Sequence, residues 1–435
     1  MSDSTYAAVI GGGVTGLALG YHLHKAAIPH VVLESTDRVG GVIRSGRVED
    51  HLLEWGPQRT RLTPIVRELI QTLALDAQLV SAPAGLPLFV FRSGKLREVP
   101  LTLAALVRSD IVPARAKLRL LLEPLTSGAR PEESVAGYFT RKLGRSLYEN
   151  VAGPLYGGLY ASDPANMIVG LSLRHALEEM GIGRSLLVSA LHRRGSAAVP
   201  PACSFCEGME TLPRALQKAN APNVYLEAGA LAMRRVGGRW EIETEAGTLR
   251  AERVVITVPA AVAARLLGGE SESAIEPLRR LVYNPLVVVH LQAETGLRGL
   301  GYQVSLAERM VTRGVTFNDS LFQRKGVYTA FLGGAKVPEV VGWSDGELGT
   351  VATREFRQVT GYESRPLSIA RVSMPAWDRS WAGLSNLALP PGVRLATNWE
   401  SRPGLPGRLV QAKRVAQELA RDFGAAALDR TSYQA

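Results

Sequence analysis

Three glycines near the start of the chain have the spacing of a loop that binds the pyrophosphate of a dinucleotide. They form the motif Gly11-x-Gly13-x-x-Gly16 directly after the apolar run 7–10. In such a motif the first glycine allows a tight turn, the second lets the backbone approach the phosphates, and the third lets the next helix pack closely. Glu34 follows at the end of a second apolar segment, where its carboxylate can accept hydrogen bonds from a ribose diol. These residues predict a strand–turn–helix–strand unit that holds a dinucleotide.

A second glycine turn indicates which dinucleotide is bound. The carboxylate of Glu34 repels the 2′-phosphate of NADP, so NAD and FAD remain. Arg38, Gly40 and Gly41 follow closely, and the simple nicotinamide motif does not need this second turn. An acidic residue followed by Arg and Gly-Gly resembles the flavoprotein pattern. We therefore expect FAD as the cofactor.

Length and composition restrict the class of protein. The chain has 435 residues, enough for two or three domains, and 46% of them are hydrophobic. No apolar run approaches the roughly 18 to 20 residues that span a bilayer. The first residues lack the basic and then apolar pattern of a secretory signal. We expect a cytoplasmic protein, either a monomer or a homodimer.

Basic residues exceed acidic ones by 50 to 40, which predicts anionic partners. The segments 97–119 and 174–194 interleave basic and apolar residues at helix-like spacing. A solvated helix face, an anionic surface such as the inner face of the cell membrane, and nucleic acid are the three explanations. Nucleic acid is the weakest, because the chain has no zinc-finger spacing, RNA-binding strand signature or Lys-rich tail. We expect a small-molecule partner and no nucleic acid.

Few other residues have a spacing that indicates chemistry. Cys203 and Cys206 lack a second pair of Cys or His ligands for zinc, so we interpret them as reduced thiols and expect no metal. His22 and His24 lie on the first predicted helix and are interpreted as surface or core residues. No Ser, His and Asp set and no paired carboxylates are evident. The cofactor therefore carries the chemistry, and no catalytic side chain is predicted.

The order of the predicted elements indicates a domain that is interrupted twice. Strand patterns fill the beginning of the chain, return after residue 203 and return again near residue 393, whereas residues 101 to about 194 are mostly helical. We predict an α/β fold. A Rossmann-like FAD-binding domain is assembled from residues 1–92, 203–265 and 390–435, with a helical insertion of residues 96–200 and a mixed α+β substrate-binding domain of residues 266–389.

Motifs along nearly the whole chain resemble those of flavin-dependent protoporphyrinogen or coproporphyrinogen oxidases, within the flavin amine oxidase superfamily. The matching segments are 9–17, 33–35, 38–45, 53–61, 158–163, 207–212 and 317–322. The first segments are shared with many flavoproteins, and the later ones narrow the branch.

The resemblance implies an FAD-dependent oxidase of tetrapyrrole (heme) biosynthesis. Hydride leaves a saturated carbon of the porphyrinogen for the flavin, and dioxygen reoxidises the flavin with release of hydrogen peroxide. Three rounds remove six electrons and yield the porphyrin, while the protein orients the reactants and excludes water. By this resemblance, the cofactor-binding residues are Gly11, Gly12, Gly13, Val14, Thr15, Gly16, Glu34, Ser35, Arg38, Gly41, Val42, Gly56, Pro57, Gln58, Arg59, Ala230, Pro403, Gly404 and Leu405.

A porphyrinogen requires a wide apolar slot with cations for its carboxylates. By resemblance, Arg61 faces a propionate, which a planar guanidinium can bind through two parallel hydrogen bonds. Phe317 matches an aromatic residue that stacks on a pyrrole ring, although a strand Phe is often plain core. Gly158 keeps the slot open by having no side chain, or serves only a turn.

Three departures from the family pattern keep other functions open. Thr397 and Arg402 replace glycines near the carboxyl-terminal flavin motif, the segment before residue 391 is short, and Ser305 stands at an apolar slot position. One alternative is another flavin amine oxidase or a carotenoid-type desaturase. The other is a non-catalytic flavin- or tetrapyrrole-binding protein.

Overall fold

Two seven-stranded sheets organise the residues that the computed structural model describes, which are 3–100, 102–192, 200–269, 272–400 and 404–432. In chain order the strands are β1 (Ser4–Ile10), β2 (His30–Leu33), β3 (Ser45–Val48), β4 (His51–Glu54), β5 (Thr60–Arg61), β6 (Leu79–Ser81), β7 (Leu88–Arg92), β8 (Lys95–Glu98), β9 (Ala202–Phe205), β10 (Val224–Tyr225), β11 (Ala230–Val236), β12 (Arg239–Thr244), β13 (Gly247–Ile256), β14 (Tyr283–Gln292), β15 (Gly301–Val304), β16 (Thr312–Phe317), β17 (Val327–Gly333), β18 (Arg365–Pro375) and β19 (Val393–Leu395). The helices are α1 (Val14–Lys25), α2 (Pro64–Thr72), α3 (Leu103–Arg108), α4 (Ala114–Leu120), α5 (Val135–Leu143), α6 (Arg145–Leu147), α7 (Gly153–Tyr160), α8 (Val169–Ser172), α9 (Arg174–Glu179), α10 (Leu186–His192), α11 (Thr211–Ala219), α12 (Ala260–Leu267), α13 (Glu272–Arg279), α14 (Asn318–Phe322), α15 (Asp345–Thr360) and α16 (Leu405–Ser432).

The first sheet has the order β10-β2-β1-β13-β12-β11, and β19 pairs with β13. Its β10, β2, β1, β13 and β19 are parallel. Both faces of a parallel sheet are covered by helices, and β1 shows this in its side chains. Ala7 and Val9 pack into the core that includes α1 and α16, whereas Ala8 and Ile10 pack toward α5 and α12. The strands come from three separated parts of the chain, and the α/β fold class is confirmed.

The second sheet has the order β18-β14-β17-β16-β15-β7-β8 and is mostly antiparallel. Helix α15 covers one face, where its Phe356 packs with Phe317 and Tyr328. Strand β7 belongs here, because it pairs in parallel with β15. The predicted boundary at residue 92 is therefore wrong for residues 88–92, which lie in the second sheet.

Helices α3 to α10 lie between β8 and β9 in the chain, where a mostly helical stretch is predicted. A buried ion pair holds this segment together, since Lys142 Nζ lies 2.8 Å from the Glu123 carboxylate and neither side chain is exposed. The N–H groups of Leu186 and Leu187 also donate to this carboxylate, at 3.0 and 3.2 Å. These bonds tie α5 to the start of α10. A short π-helical turn, Tyr148–Ala152, leads into α7.

Candidate functional site

The predicted glycine turn joins β1 to α1. Gly11 has a φ of +112°, and its N–H donates to the Leu33 carbonyl at 2.8 Å. A Cβ on Gly16 would lie 2.0 Å from the Gly11 carbonyl oxygen, so only glycine lets α1 approach the turn this closely. A Cβ on Gly13 would meet no atom within 4 Å. The open space beside Gly13 fits a dinucleotide pyrophosphate.

The first turn of α1 consists of Val14, Thr15 and Gly16, with Gly13 as the N-cap. The Gly13 carbonyl accepts the Leu17 N–H at 3.0 Å, which begins the helical hydrogen-bond pattern. The N–H groups before Leu17 have no intrahelical partner, and the helix dipole places positive charge at this end. Val14 and Thr15 are therefore placed where a phosphate accepts main-chain hydrogen bonds.

Glu34 lies at the carboxyl end of β2 and is 8% exposed. Its Oε2 accepts the Gly12 N–H at 2.8 Å, while Oε1 accepts the N–H and hydroxyl of Thr36 at 3.0 and 2.9 Å. These bonds hold the carboxylate beside the glycine turn and leave a lone pair on Oε2. The arrangement fits the predicted contact with a ribose.

Ser35 bonds this carboxylate, and Ala230 directly follows the glycine that packs on Ser35. The Ser35 hydroxyl donates to Glu34 at 3.3 Å. Gly229 packs on Ser35 so closely that a Cβ would lie 2.6 Å from the Ser35 Cβ. Ala230 begins β11 and is buried. The structure thus brings both predicted residues next to the end of β2.

The second glycine turn lies against the first. Gly40 donates its N–H to the Gly12 carbonyl at 2.9 Å, and a Cβ on Gly41 would lie 3.3 Å from the Gly13 Cα. The Arg38 guanidinium donates to three carbonyls of this turn, at 2.7 to 3.3 Å. Arg38 therefore stabilises the turn. Val42, 72% exposed, lies in the same turn.

Gln58 connects the segment 54–58 to the second sheet. Its amide nitrogen donates to two carbonyls of its own segment, at 2.8 and 3.0 Å. Its amide oxygen accepts from Asn318 Nδ2 at 3.2 Å and from the Thr329 hydroxyl at 3.0 Å. These four contacts use both donors and both acceptor positions of the amide, so Gln58 holds the segment 54–58 against the second sheet. Pro57 and Gly56 precede it, and a Cβ on Gly56 would lie 1.9 Å from a carbonyl of the second glycine turn.

A buried ion pair lies beside the same segment. Glu54 accepts from Arg324 Nη2 at 2.7 Å, from the Ser45 hydroxyl at 2.5 Å and from the Met209 N–H at 2.9 Å. The side chains of Glu54 and Arg324 are 1% and 5% exposed. Burial raises the pKa of Glu54, although Arg324 and the hydrogen bonds oppose this shift. The pair joins β4 to the loop that follows α14.

Arg59 and Arg61 have different surroundings. Arg59 is half-buried, and the described residues give it no hydrogen-bond or ion-pair partner. Burial and the nearby Arg61 lower the pKa of Arg59 to about 10. A desolvated guanidinium is stabilised by an anionic ligand group, which fits the predicted cofactor contact. Arg61 is exposed, and it donates to the Pro200 carbonyl at 3.2 Å.

Helix α16 begins next to the turn after β19. Gly404 has a φ of +92°, and Leu405 is the first residue of the helix, 9% exposed. The predicted contact Pro403 lies outside the described residues, as does Arg402. The helix thus begins at Leu405, which the resemblance places among the cofactor-binding residues.

Side chains near this turn, including those that contact Thr397, bond to their surroundings. The buried Arg408 guanidinium donates to the Thr397 carbonyl, and burial lowers the pKa of Arg408 to about 10. Gln411 donates its amide N–H to Glu400 at 2.6 Å. The Arg408 and Gln411 side chains therefore have partners within the protein.

One face of the second sheet lies against the segment 54–58. His290 Nε2 forms a hydrogen bond with the Glu54 carbonyl at 2.8 Å, and the Thr329 hydroxyl donates to the Gln58 amide oxygen. The Ser368 hydroxyl accepts a hydrogen bond from the indole N–H of Trp55 at 2.9 Å. His290 pairs with both Thr329 and Ser368 across neighbouring strands, so the three residues share one face. We call it the slot face. Burial lowers the pKa of His290 to about 4, so the ring is neutral with its proton on Nε2.

Phe317 lies on the opposite face, which corrects the prediction that it stacks on a substrate ring. Its ring is fully buried and packs edge to face on Tyr302 and Tyr328. Side chains alternate along a strand, so Thr316 rather than Phe317 lies on the slot face. Phe331 is two residues after Thr329 and shares its face, half-buried. Sequence reasoning missed Phe331, although strand alternation indicates it once the register is known.

Gly158 lies in α7 and contacts the slot face through Gln303. A Cβ on Gly158 would lie 2.1 Å from Gln303 Oε1, and a Cβ on Gly314 would lie 2.8 Å from the same amide. Gly158 is therefore next to the slot, but the Gln303 amide fills the space that its missing side chain leaves. Among the described residues, Gln303 Oε1 has no hydrogen-bond partner. Sequence reasoning also missed this polar group, whose signal is a glutamine in an otherwise buried strand.

The cysteines lie in a small sheet of β5, β9 and β6 or next to it. Cys203 is buried in β9, where burial raises the pKa of its thiol to about 11, and Cys206 is exposed. Within the described ranges, no group of three or more His, Cys, Asp or Glu residues could hold a metal ion.

Comparison with known families gives one match over most of the chain. The model of the family "Flavin containing amine oxidoreductase" matches residues 14–412. The curated relatives include protoporphyrinogen oxidases from a plant and from a mammal. The chloroplastic protoporphyrinogen oxidase 1 of Spinacia oleracea is 28% identical over 81% of this chain and 70% of that protein. The protoporphyrinogen oxidase of Homo sapiens is 26% identical over 85% of this chain and 84% of that protein.

Solved structures show the same fold. A structure from Exiguobacterium sp. 255-15, provisionally named protoporphyrinogen oxidase, superposes with a TM-score of 0.80 at 22% identity and covers 97% of this chain and 100% of that one. Putrescine oxidase bound to putrescine superposes with a TM-score of 0.69 at 16% identity, covering 97% and 99%.

Proposed function

The chain belongs to the flavin containing amine oxidoreductase family and is an FAD-dependent oxidoreductase, and we propose that it oxidises a porphyrinogen to the porphyrin with dioxygen as the electron acceptor. The observation that carries this proposal is the similarity over four fifths of the chain to protoporphyrinogen oxidases of a plant and a mammal. The substrate is protoporphyrinogen IX or coproporphyrinogen III.

The glycine turns provide the place for FAD. The N–H groups of Val14 and Thr15 would hold the pyrophosphate beside Gly13, and Glu34 would hold the ribose. Arg59, a half-buried cation without a described partner, would bind an anionic group of the same cofactor. When bound, FAD supplies a two-electron acceptor for a hydride from the substrate. The side chains of this chain bind and orient, and none of those described at the slot forms a paired acid and base.

The slot face provides the place for the substrate. Phe331 offers a half-buried ring that lies on the same side of the second sheet as Thr329 and the segment 54–58. A macrocycle stacked on Phe331 therefore lies between this sheet and the cofactor side. Gly158 closes the slot from α7, with the Gln303 amide next to it. Phe331 gives the slot face an aromatic ring for a large, mostly apolar ligand, and the polar groups of Thr316 and Gln303 lie beside it on the same face.

The test is turnover by the FAD-loaded protein. Incubation with protoporphyrinogen IX or coproporphyrinogen III in air is followed by porphyrin fluorescence, with hydrogen peroxide measured in parallel. We expect a rate above the non-enzymatic control for one substrate, and three peroxides for each porphyrin. No enzyme-dependent rise with either substrate would reject the proposal. Turnover of an amine or a polyene instead would assign another flavin amine oxidase or a desaturase, and porphyrin bound without oxidation would assign a carrier.

We also propose that α4 and the residues after it rest on an anionic membrane surface. Leu118, Leu121 and Leu125 are 65%, 67% and 76% exposed, which is unusual for clustered leucines. Arg115 is exposed next to them and matches a negative surface. Of the helices in the described residues, none has the length and apolar content to cross a bilayer. Flotation with anionic vesicles should carry the protein upward at low salt, and Leu121→Asp should reduce this. Equal flotation with neutral vesicles would contradict an anionic surface.

A further inference from the structure

Arg313 is the extra residue of a β-bulge in β16. Its two neighbours in the chain pair with adjacent residues of β17, so Arg313 itself has no partner across the sheet. A bulge turns a side chain away from the regular alternation, and bulges are frequent next to binding sites. Here the Arg313 side chain lines a small cavity between α7 and the second sheet. Gly158, Leu306, Gly333 and Lys336 line the same cavity.

Two cations meet at this cavity with little opposite charge. Arg313 donates to the Met310 carbonyl at 3.2 Å, and no described carboxylate lies within ion-pair distance of it. Lys336 Nζ lies 4.0 Å from Asp163, and its side chain is 32% exposed. Burial lowers the pKa of Arg313, while Asp163 and Glu355 oppose this shift from a distance. Glu355 already accepts two main-chain N–H groups of its own surroundings, at 3.0 and 2.7 Å. An incoming carboxylate would therefore find donors that the protein leaves available.

The cavity continues the substrate slot. Thr329, which bonds the segment 54–58, and Gly333, which lines the cavity, are four residues apart on β17. They lie on the same face, about 13 Å from each other at the rise of a strand. Phe331 lies between them. A macrocycle stacked on Phe331 can thus extend one acidic side chain toward Arg313.

We propose that Arg313, assisted by Lys336, binds a propionate carboxylate of the tetrapyrrole. This inference rests on the proposed function, because the slot is defined by the substrate placed there. It assigns to the cavity the carboxylate contact that the sequence predicts for Arg61, which the structure places at the surface. Arg313 and Lys336 are then residues that fix the orientation of the substrate.

The experiment compares the binding of protoporphyrin IX and its dimethyl ester to the FAD-loaded protein. Arg313→Gln removes the donor, Arg313→Lys keeps the charge, and Arg309→Gln removes an exposed cation four residues away that does not line the cavity. Porphyrin fluorescence gives the dissociation constants. Flavin content and thermal stability verify that each variant is folded.

For the diacid, we expect about tenfold weaker binding in Arg313→Gln, as for a lost charge-assisted hydrogen bond, with recovery in Arg313→Lys and no change in Arg309→Gln. The ester should bind all variants alike. Equal binding of the diacid to wild type and Arg313→Gln, or equal weakening for the ester, would overturn the inference while porphyrinogen turnover still supports the oxidase. If the wild-type protein binds the diacid through Arg313 but oxidises no porphyrinogen, the carboxylate subsite is supported and the oxidase proposal is rejected.

Discussion

Phe317 and Phe331 lie on opposite faces of the second sheet, and of the two only Phe331 lies on the slot face. Phe317 packs between Tyr302 and Tyr328 on the side of α15. Phe331 is half-buried and belongs to none of the hydrophobic clusters formed by the described residues. One aromatic ring therefore stabilises the core, while the other is available to a ligand.

Truncation of the two rings should separate binding from stability. Phe317→Ala should cost about 3 to 5 kcal/mol of folding free energy, as for a buried Phe, and leave KM unchanged in the folded fraction. Phe331→Ala should cost less stability but raise KM for the porphyrinogen several-fold, because a stacked aromatic pair contributes roughly 0.5 to 1.5 kcal/mol. Urea unfolding and initial rates measure both effects. A normal KM in Phe331→Ala would contradict stacking on this ring.

Substitution of two glycines of the first turn should likewise separate cofactor binding from stability. Gly13→Ala adds a Cβ in open space, so the apo-protein should keep its stability while FAD binds at least tenfold more weakly. Gly16→Ala places a Cβ against the Gly11 carbonyl and should lower the thermal stability of the apo-protein itself. Titration with FAD and thermal unfolding of the apo-protein distinguish them. Unchanged FAD affinity in Gly13→Ala would exclude a pyrophosphate at this position.

The buried ion pair of Glu54 and Arg324 should contribute more to folding stability than an exposed ion pair does. Glu54→Gln leaves the Arg324 guanidinium buried without a counter-charge, which should cost about 3 to 5 kcal/mol in urea unfolding. Glu49→Gln is the control, because it breaks an exposed pair with Arg365 and should change stability little. Similar losses in the two variants would show that the buried pair has no special role in joining β4 to the loop that follows α14.

His290 should make the protein less stable in acid. Its pKa is about 4 in the folded state and near 6.5 when unfolded, so between these values the unfolded chain binds the additional proton. Stability should therefore fall as the pH decreases from about 6.5 to about 4, by about 3 kcal/mol for this residue. His290→Gln should flatten this part of the stability curve, whereas His24→Gln, on an exposed residue, should not. An unchanged slope in His290→Gln would contradict a buried neutral imidazole.

The features that the sequence predicts best are local ones. The glycine turn and Glu34 lie within one short unit, so their spacing alone predicts their geometry. The ion pair between Glu54 and Arg324 joins residues that are 270 positions apart, and no short sequence pattern predicts it. Likewise, the pairing of β7 with β15 shows that residues 88–92 belong to the second sheet and not to the first domain, and no local pattern indicates this.

The substrate side depends on register, which spacing does not reveal. A shift of one residue moves a side chain to the other face of a sheet, and this separates Phe317 from the slot. The bulge that redirects Arg313 and the Gln303 amide that fills the space at Gly158 arise from contacts between distant segments. The resemblance therefore predicts the kind of site, while the folded structure determines which residues line it.

The most direct test of the central claim is the absorbance of the bound flavin when the FAD-loaded protein is mixed with protoporphyrinogen IX or coproporphyrinogen III without oxygen. If a porphyrinogen gives its hydride to the cofactor, the oxidised flavin absorbance should decrease in a single turnover, and air should restore it. A flavin that stays oxidised in the presence of both porphyrinogens would contradict the account.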